Sequence, residues 1–487
     1  MISTIKSLVS ASLVYGLGTL ASKFIAFFLL PIFTRTLSPA DYGLFETLNV
    51  LLLLLATIGA LGMDSAIIRF YFDSDKPEDR TRVVSSAFWL ALVASALIAG
   101  SGLLAAGGIN EVLFPGADRK ILVQLTLVTV VLAVVNTVQL ALLQTRREAA
   151  KYSFMTLVRF FLLYGISVWL LLRGKSVLGV LEAQVVAYVV SLCIGFWFAR
   201  KELRPALAPP LAKEMLAFSL PLIAGSVSMW LLSSSDRFFL LRLSTLNELG
   251  LYSLGSRFAS IIQLVVLAFQ MAWPPVALSL ARQENAPATH ARILTYYFFV
   301  GVMMVLAVTL FTPELLALLA TNVYAGASSV VFLLSCSFLF QGCFFVSSII
   351  LSITKKSLSI FPIAIPPLVV SIALNAYLVP RLGGFGSAIA SSTAYLLMAT
   401  LSFVFAHRLS AIPYEWKRIA KMVVAAAAVL GVSSLIPASS FWTTVLIKLI
   451  LIAGYVGILF VTGFFLADEV AFVKRRLLVR ITGTTEG

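Results

Sequence analysis

Residues 121–143 read ILVQLTLVTVVLAVVNTVQLALL, twenty-three positions without a charge. Roughly 20 apolar residues carry a helix across the ~30 Å hydrocarbon core of a bilayer. With no water there, each backbone polar group must be satisfied within its own segment, so a run of this kind is a membrane helix. The alternation of barrel strands is not seen. Thirteen more apolar segments flank it, at 9–31, 44–66, 84–107, 155–172, 178–199, 215–234, 251–273, 293–313, 329–352, 358–379, 385–406, 422–438 and 443–466. The connections are short and rich in Arg, Lys, Pro, Gly or Asp. The longest, RKELRPALAPPLAKE at 200–214, has no room for an extramembrane domain. The sequence therefore predicts an all-α polytopic membrane protein of about fourteen transmembrane helices.

Composition agrees. Of 487 residues 60% are hydrophobic and 12% are charged, against about 25% charged in a soluble domain. That excludes collagen, coiled coil, a disordered chain and a disulfide scaffold. Cys193, Cys336 and Cys343 all lie in apolar runs and read as small core hydrophobes. Lys6 precedes an apolar stretch running to Pro31, too long for a signal-peptide core, so that stretch is expected to stay as the first helix.

Lys and Arg total 36 against 21 Asp and Glu, a net charge of +15. Such an excess suits nucleic acid, anionic lipid or an anionic substrate, and position decides between them. With the N-terminus inside, 24 of the 36 fall in inner connections, 8 in outer ones and 4 (Lys23, Arg159, Arg257, Lys448) within spans. This split predicts both termini in the cytoplasm. Basic residues spread over alternate connections orient a membrane protein and make no nucleic-acid patch.

The chain repeats itself. Leu37-Ser38, Asp41 and Gly43-Leu44-Phe45 are echoed by Leu243-Ser244, Glu248 and Gly250-Leu251-Tyr252, with the glycines 207 apart. The same offset relates Gly179 to Gly386 and Ala187-Tyr188 to Ala394-Tyr395. Six helices is an even number, so the expected arrangement is two parallel six-helix repeats, 1–200 and 215–407. Two additional C-terminal helices in 422–466 and a cytoplasmic tail, 467–487, complete the chain.

Enzyme-like patterns fail on context. Gly174-Lys175-Ser176 lacks the first glycine and the strand of a phosphate loop, and Gly16-x-Gly18-x-x-Ala21 also has no strand before it. Asp73-Ser74-Asp75 reads as a solvated charge cluster, and His290 and His407 have no catalytic partner in sight. No enzyme, metal site or cofactor is expected.

Charge inside the membrane carries more meaning, because it costs at least about 2.5–3.5 kcal/mol. In the first helix Ser12, Tyr15, Thr19, Ser22 and Lys23 form one polar stripe, and Ser219, Ser226, Ser233 and Arg237 line another on the seventh. Glu46, Thr57 and Asp64 share a face of the second. Lys448, Arg35, Arg242 and Glu182 read as snorkelling or locally paired, and Asp236 next to Arg237 reads equally as a structural pair or as part of the site. Lys23, Arg159 and Arg257 lie deeper or on polar stripes and read as functional.

Residues 34–49 (TRTLSPADYGLFETLN), 64–72 (DSAIIRFYF), 219–240 (SLPLIAGSVSMWLLSSSDRFFL), 250–259 (GLYSLGSRFA) and 272–276 (AWPPV) resemble the polysaccharide-transporter, or Wzx-type flippase, family of the multidrug/oligosaccharidyl-lipid/polysaccharide exporter superfamily. The resemblance covers nearly the whole chain. It implies two six-helix lobes around a central cavity, plus two C-terminal helices, moving polyprenyl-pyrophosphate-linked oligosaccharides from the inner to the outer leaflet of the bacterial cytoplasmic membrane. It carries over Arg69 and Asp236 as gating or lobe-interface candidates and Arg237 and Arg257 as substrate contacts; Lys23 and Arg159 rest on the physical argument alone.

Arginine holds a diphosphate through forked hydrogen bonds and lysine as a point charge. The expected site is therefore a cationic cavity of Lys23, Arg159, Arg237 and Arg257. Glu46 and Asp64 are candidates for H+ or Na+ coupling, with the membrane potential as the alternative drive. Partners are the lipid-linked oligosaccharide, membrane lipids and polysaccharide polymerase machinery. A lipid II flippase, whose substrate is also a diphosphate, comes next, and a multidrug exporter third. Exporters of cationic drugs are expected to carry an acid in the first helix, where this chain has Lys23.

Overall fold

The second apolar segment begins where local chemistry starts a helix. Ser38 caps it: its Oγ accepts from the Asp41 N–H (3.1 Å), while Asp41 Oδ2 accepts from the Ser38 N–H (3.2 Å). Pro39 sits at the first turn, where a missing N–H costs nothing. In the computed structural model, which describes residues 29–204, 208–280, 285–354, 360–436 and 440–466 together with Phe27, Gln283 and Glu469, the elements are all helical. In order they are α1 (Leu30–Thr36), α2 (Pro39–Gly59), α3 (Met63–Phe70), α4 (Pro77–Leu104), α5 (Ala106–Leu113), α6 (Lys120–Thr145), α7 (Ala149–Leu172), α8 (Val177–Ala199), α9 (Pro209–Leu243), α10 (Leu246–Ala259), α11 (Ile262–Leu280), α12 (Ala286–Leu319), a 3₁₀ turn (Asn322–Ala327), α13 (Ser328–Ile353), α14 (Phe361–Ser410), α15 (Trp416–Leu435) and α16 (Phe441–Val461).

Twelve described stretches are long and apolar enough to cross a membrane, and the protein is an all-α, multi-pass membrane protein. One of the twelve, α14, has 50 residues, about 75 Å of helix at 1.5 Å per residue. It is two helices, because Gly383 breaks it at φ 54°, ψ −132°, and the Gly384 N–H is taken up by Glu248 Oε2 at 3.2 Å. Most of the first apolar segment, 9–31, lies outside the described residues. Two expected continuous spans are discontinuous. Segment 44–66 breaks at Leu61 (φ 50°) and Gly62 (φ 63°), and 251–273 breaks between α10 and α11. Hydropathy averages across such breaks and does not register them.

The chain divides into two compact units. The first holds residues up to Gly255 with Leu316–Val330 and Ala364–Ala394; the second holds Ser256–Leu315, Val331–Ile363 and residues from Tyr395 on. In the first, the break at Gly62 is fixed by the packing of α3: Met63, Ala66 and Ile67, none measurably exposed, pack with Ala87, Ala91, Val130 and Val134.

Two positions related by the 207 offset meet in a reciprocal contact. A Cβ on Gly43 would stand 2.2 Å from the Leu246 carbonyl oxygen, and one on Gly250 would stand 1.8 Å from that of Pro39. Shifting 43 and 246 by the 207 offset gives 250 and 39, so the contact maps onto itself when the two segments are exchanged. That is the signature of a two-fold relation between equivalent segments. The same seam is tied by Tyr324 Oη donating to the Leu37 carbonyl (2.9 Å), Thr34 Oγ1 to Leu319 (2.8 Å) and Thr321 Oγ1 to Thr34 (3.3 Å).

In the second unit, Lys448 on α16 pairs with Glu314 on α12, both side chains 13% exposed, and also donates to the Leu310 carbonyl (2.6 Å). The partner is 134 residues away, not local as the sequence suggested; Glu182 does pair close by, with Lys175. Removing one partner of a buried pair leaves a bare charge, costing about 3–5 kcal/mol. Lys448→Met should therefore lower the thermal midpoint sharply, and Lys448→Met with Glu314→Gln should recover most of the loss. Equal midpoints for the single and double variants would show the pair to be idle. Cys343 is buried as expected, whereas Cys193 is exposed on the apolar surface.

Arg418 at the start of α15 forks onto Glu469 (3.2 and 2.9 Å). Burial alone would raise the Glu469 pKa, but hydrogen bonds from Tyr296, the Leu466 N–H and Arg418 hold it below its ordinary value. A depressed carboxyl stabilises above the unfolded value, about 4.3, and the contribution is lost as pH falls through the folded value. Thermal midpoints should fall below about pH 4, and Glu469→Gln should flatten part of that dependence. An unchanged profile in the variant would remove Glu469 from the acid response.

Candidate substrate site

Arg159 is the eleventh residue of α7, about 15 Å along it. Its Nη1 donates to Asn136 Oδ1 at 2.6 Å, and Asn136 Nδ2 donates to Ser191 Oγ at 2.8 Å. Asn136 and Ser191 are buried on α6 and α8. The guanidinium also lies 5.0 Å from the Tyr188 ring centroid and 5.7 Å from that of Phe160. Among the described residues Arg159 forms no ion pair. Three helices thus hold a cation with neutral groups only, leaving most of its five donors for something else. The sequence singled out Arg159 but not its support; Asn136, the one asparagine among three amides in the apolar run at 121–143, was the available signal.

Arg237 is in a different state. Asp236 Oδ1 accepts from the Arg237 N–H (2.8 Å) and from its Nη1 (3.1 Å), while the Tyr252 hydroxyl donates to Asp236 Oδ2. Ser391 hydrogen-bonds Tyr252, and Glu46 is within electrostatic reach of Arg237. All five belong to the first unit, and Glu46 and Asp236 are buried at 7% and 6% exposure. Two carboxylates thus face one arginine in this conformation: the sequence left Arg237 as either the structural partner of Asp236 or a substrate contact, and here the pair is formed. Tyr252 and Ser391 were missed, since neither stands out in an apolar segment.

Asp64 opens α3 immediately after the break and lines a cavity of about 240 Å³ with Thr57, Ser65, Thr137 and Ser226. Among the described residues its carboxylate has no hydrogen bond or ion pair. Arg69 is 56% exposed and pairs with Asp73 one turn on. Arg257 is partly buried in the last turn of α10 and belongs to the second unit. Lys23 lies outside the described residues. The structure therefore brings Glu46, Asp236 and Arg237 together and seats Arg159 separately in the same unit.

Residues 8–281 match the family described as "Polysaccharide biosynthesis protein". The chain belongs to that family. All eight candidate positions, Lys23 to Arg257, fall in the matched stretch. Among its relatives, "Lsg locus putative protein 1" of Haemophilus influenzae is 24% identical over 289 residues, 56% of this chain and 67% of its own length. "Succinoglycan biosynthesis transport protein ExoT" of Rhizobium meliloti is 26% identical over 254 residues, 52% of this chain; the match spans about half of ExoT (49%). The fold is that of a structure described as lipid II flippase MurJ in an inward closed conformation, with TM-score 0.75 and 15% identity over 92% of this chain and 99% of that one. An inward-facing multidrug MATE transporter of the MOP superfamily aligns with TM-score 0.66 and 18% identity over 79% of this chain and 94% of its own. The fold is one that solved transporters share.

Proposed function

We propose that the protein is a flippase, not an enzyme, carrying a polyprenyl-diphosphate-linked oligosaccharide across the bacterial cytoplasmic membrane, with both termini in the cytoplasm. The observation that carries this is Arg159, a cation within a membrane helix, oriented by neutral partners and holding no described carboxylate. Such a residue needs an anion or water, and a guanidinium fork suits a diphosphate. Sugars and diphosphate pass through an enclosed polar path as the lobes, 1–200 and 215–407, rock about it, while the prenyl tail stays in lipid. The family's description, polysaccharide biosynthesis, and the name of one relative, succinoglycan biosynthesis transport protein, point the same way. Lipid II is also a polyprenyl diphosphate, so the same handle would serve it; the family match favours polysaccharide units.

Lys23 and Arg257 are the further cations proposed to meet the substrate in the course of transport, because a diphosphate carries at least two negative charges and one cation undercompensates it in a low-dielectric surround. Glu46, beside the Asp236–Arg237 pair, is the carboxylate assigned to H+ or Na+ coupling, with the membrane potential as the alternative drive. Polysaccharide polymerase machinery takes the product. Lys23→Ala and Arg257→Ala should each abolish polysaccharide export at normal membrane abundance, with Lys23→Arg and Arg257→Lys retaining part of it. Normal export by both alanine variants would remove those two from the site.

A further inference from the structure

The cavity beside Asp64 lies in the first unit, walled by α2, α3, α6 and α9. Three of its four hydroxyls spend their protons on their own helices: Thr57 Oγ1 donates to Leu53 (2.8 Å), Thr137 Oγ1 to Ala133 (3.0 Å) and Ser226 Oγ to Leu222 (3.1 Å). Their lone pairs are what remains. An ionised Asp64 is acceptor-only as well. The break at Leu61 and Gly62 is what turns this carboxylate onto the cavity, as the first turn of a new helix. Set among Leu53, Ala56, Ala60, Leu222 and Ile223, polar groups that are mostly acceptors disfavour a diphosphate, itself all acceptors, and suit a neutral ligand with an apolar face and hydrogen-bond donors. Sugar hydroxyls and acetamido N–H groups are such donors. The volume, about 240 Å³, leaves room for a ligand the size of a single sugar ring.

Thr137 on the cavity wall directly follows Asn136, which holds Arg159. Neighbours on a helix point about 100° apart, so α6 serves the anion handle with one residue and the cavity with the next. A lipid-linked sugar has the same adjacency, with its first ring bonded to the diphosphate.

We propose that this cavity is the subsite for the sugar attached to the diphosphate, with Asp64, Thr57, Thr137 and Ser226 accepting its hydrogen bonds. The proposal rests on the flippase reading above, names the part of the substrate recognised, and gives Asp64 a task distinct from ion coupling.

The test measures binding to the full-length protein in lipid nanodiscs. The probes are undecaprenyl diphosphate and the same lipid carrying one glucose, galactose or N-acetylglucosamine. At least one glycosylated probe should bind the wild type about tenfold more tightly than the bare lipid, the worth of one or two hydrogen bonds. Asp64→Ala and the double change Thr57→Val with Thr137→Val should lose most of that gain and keep bare-lipid affinity within about twofold. Retained bare-lipid binding certifies the fold; a variant that loses it is replaced by Thr137→Val alone. Equal wild-type affinity for all probes, or a gain that survives in the variants, overturns the subsite and leaves the flippase standing. If Asp64→Ala instead abolishes a sodium-dependent rise in thermal midpoint while the sugar gain persists, the cavity holds a cation and the proposal is wrong. Failure of the wild type to bind any probe overturns the flippase reading itself, and Arg159→Ala, expected to weaken all probes alike, reports on that reading separately.

Discussion

Replacing Arg159 by alanine is expected to reduce transport by about a hundredfold or more, with normal membrane abundance. Hydrogen bonds from a charged group contribute about 1.5–3 kcal/mol each, and a fork offers two, so a loss near 3 kcal/mol, about two decades, is a conservative figure. Arg159→Lys keeps the charge but loses the fork and the stacking on Tyr188, and should fall between. Asn136→Leu removes the acceptor that orients the guanidinium and leaves Ser191 unpaired; as a positioning change it should weaken substrate affinity more than maximal rate. Complementation of polysaccharide export, quantified against protein in the membrane fraction, checks the series. Full export by Arg159→Ala would make this arginine a structural strut.

The second large effect lies at the glycine seam. An alanine at 250 would put its Cβ 1.8 Å from the Pro39 carbonyl oxygen, and one at 43 would meet the Leu246 carbonyl at 2.2 Å. Both obstacles are backbone, so no side chain can swing aside; α2 and α10 must separate. Overpacking of this kind costs up to about 3 kcal/mol, and more where nothing can yield. Gly43→Ala and Gly250→Ala should each lower the thermal midpoint strongly and expose a cysteine at position 37, beneath Tyr324, to a membrane-impermeant thiol reagent. A wild-type midpoint with unchanged labelling would mean that the seam tolerates a methyl group and does not govern opening.

The legible part of the fold was the part built on long-range averages. Charge-free runs such as 121–143 marked the helices, and the 207 offset marked Gly43 and Gly250, which the structure seats against each other's helices. Gly62 and Gly383 were visible as letters, but a glycine in an apolar run signals a break only when its φ is known to be positive. The site divides the same way. Arg159 stood out because charge in hydrocarbon is costly whatever surrounds it. The setting of Arg237 was legible only in part: its adjacency to Asp236 is written in the chain, but Glu46 stands 191 positions earlier and the Tyr252 hydroxyl is counted by hydropathy as aromatic surface. The Lys448–Glu314 pair was hidden for the same reason: one sequence shows which charges are buried but not which are brought together.

The most direct measurement of the central proposal is the leaflet distribution of polyprenyl-diphosphate-linked oligosaccharide in cells with and without this protein. Sugars on the outer leaflet of spheroplasts are scored by periodate or a lectin that cannot cross the membrane. Deleting the gene should leave the lipid-linked unit accumulated and shielded, wild-type protein should restore its exposure, and Arg159→Ala should not. Exposure of the sugars at wild-type rates in the deletion strain, with no other flippase present, would contradict the assignment.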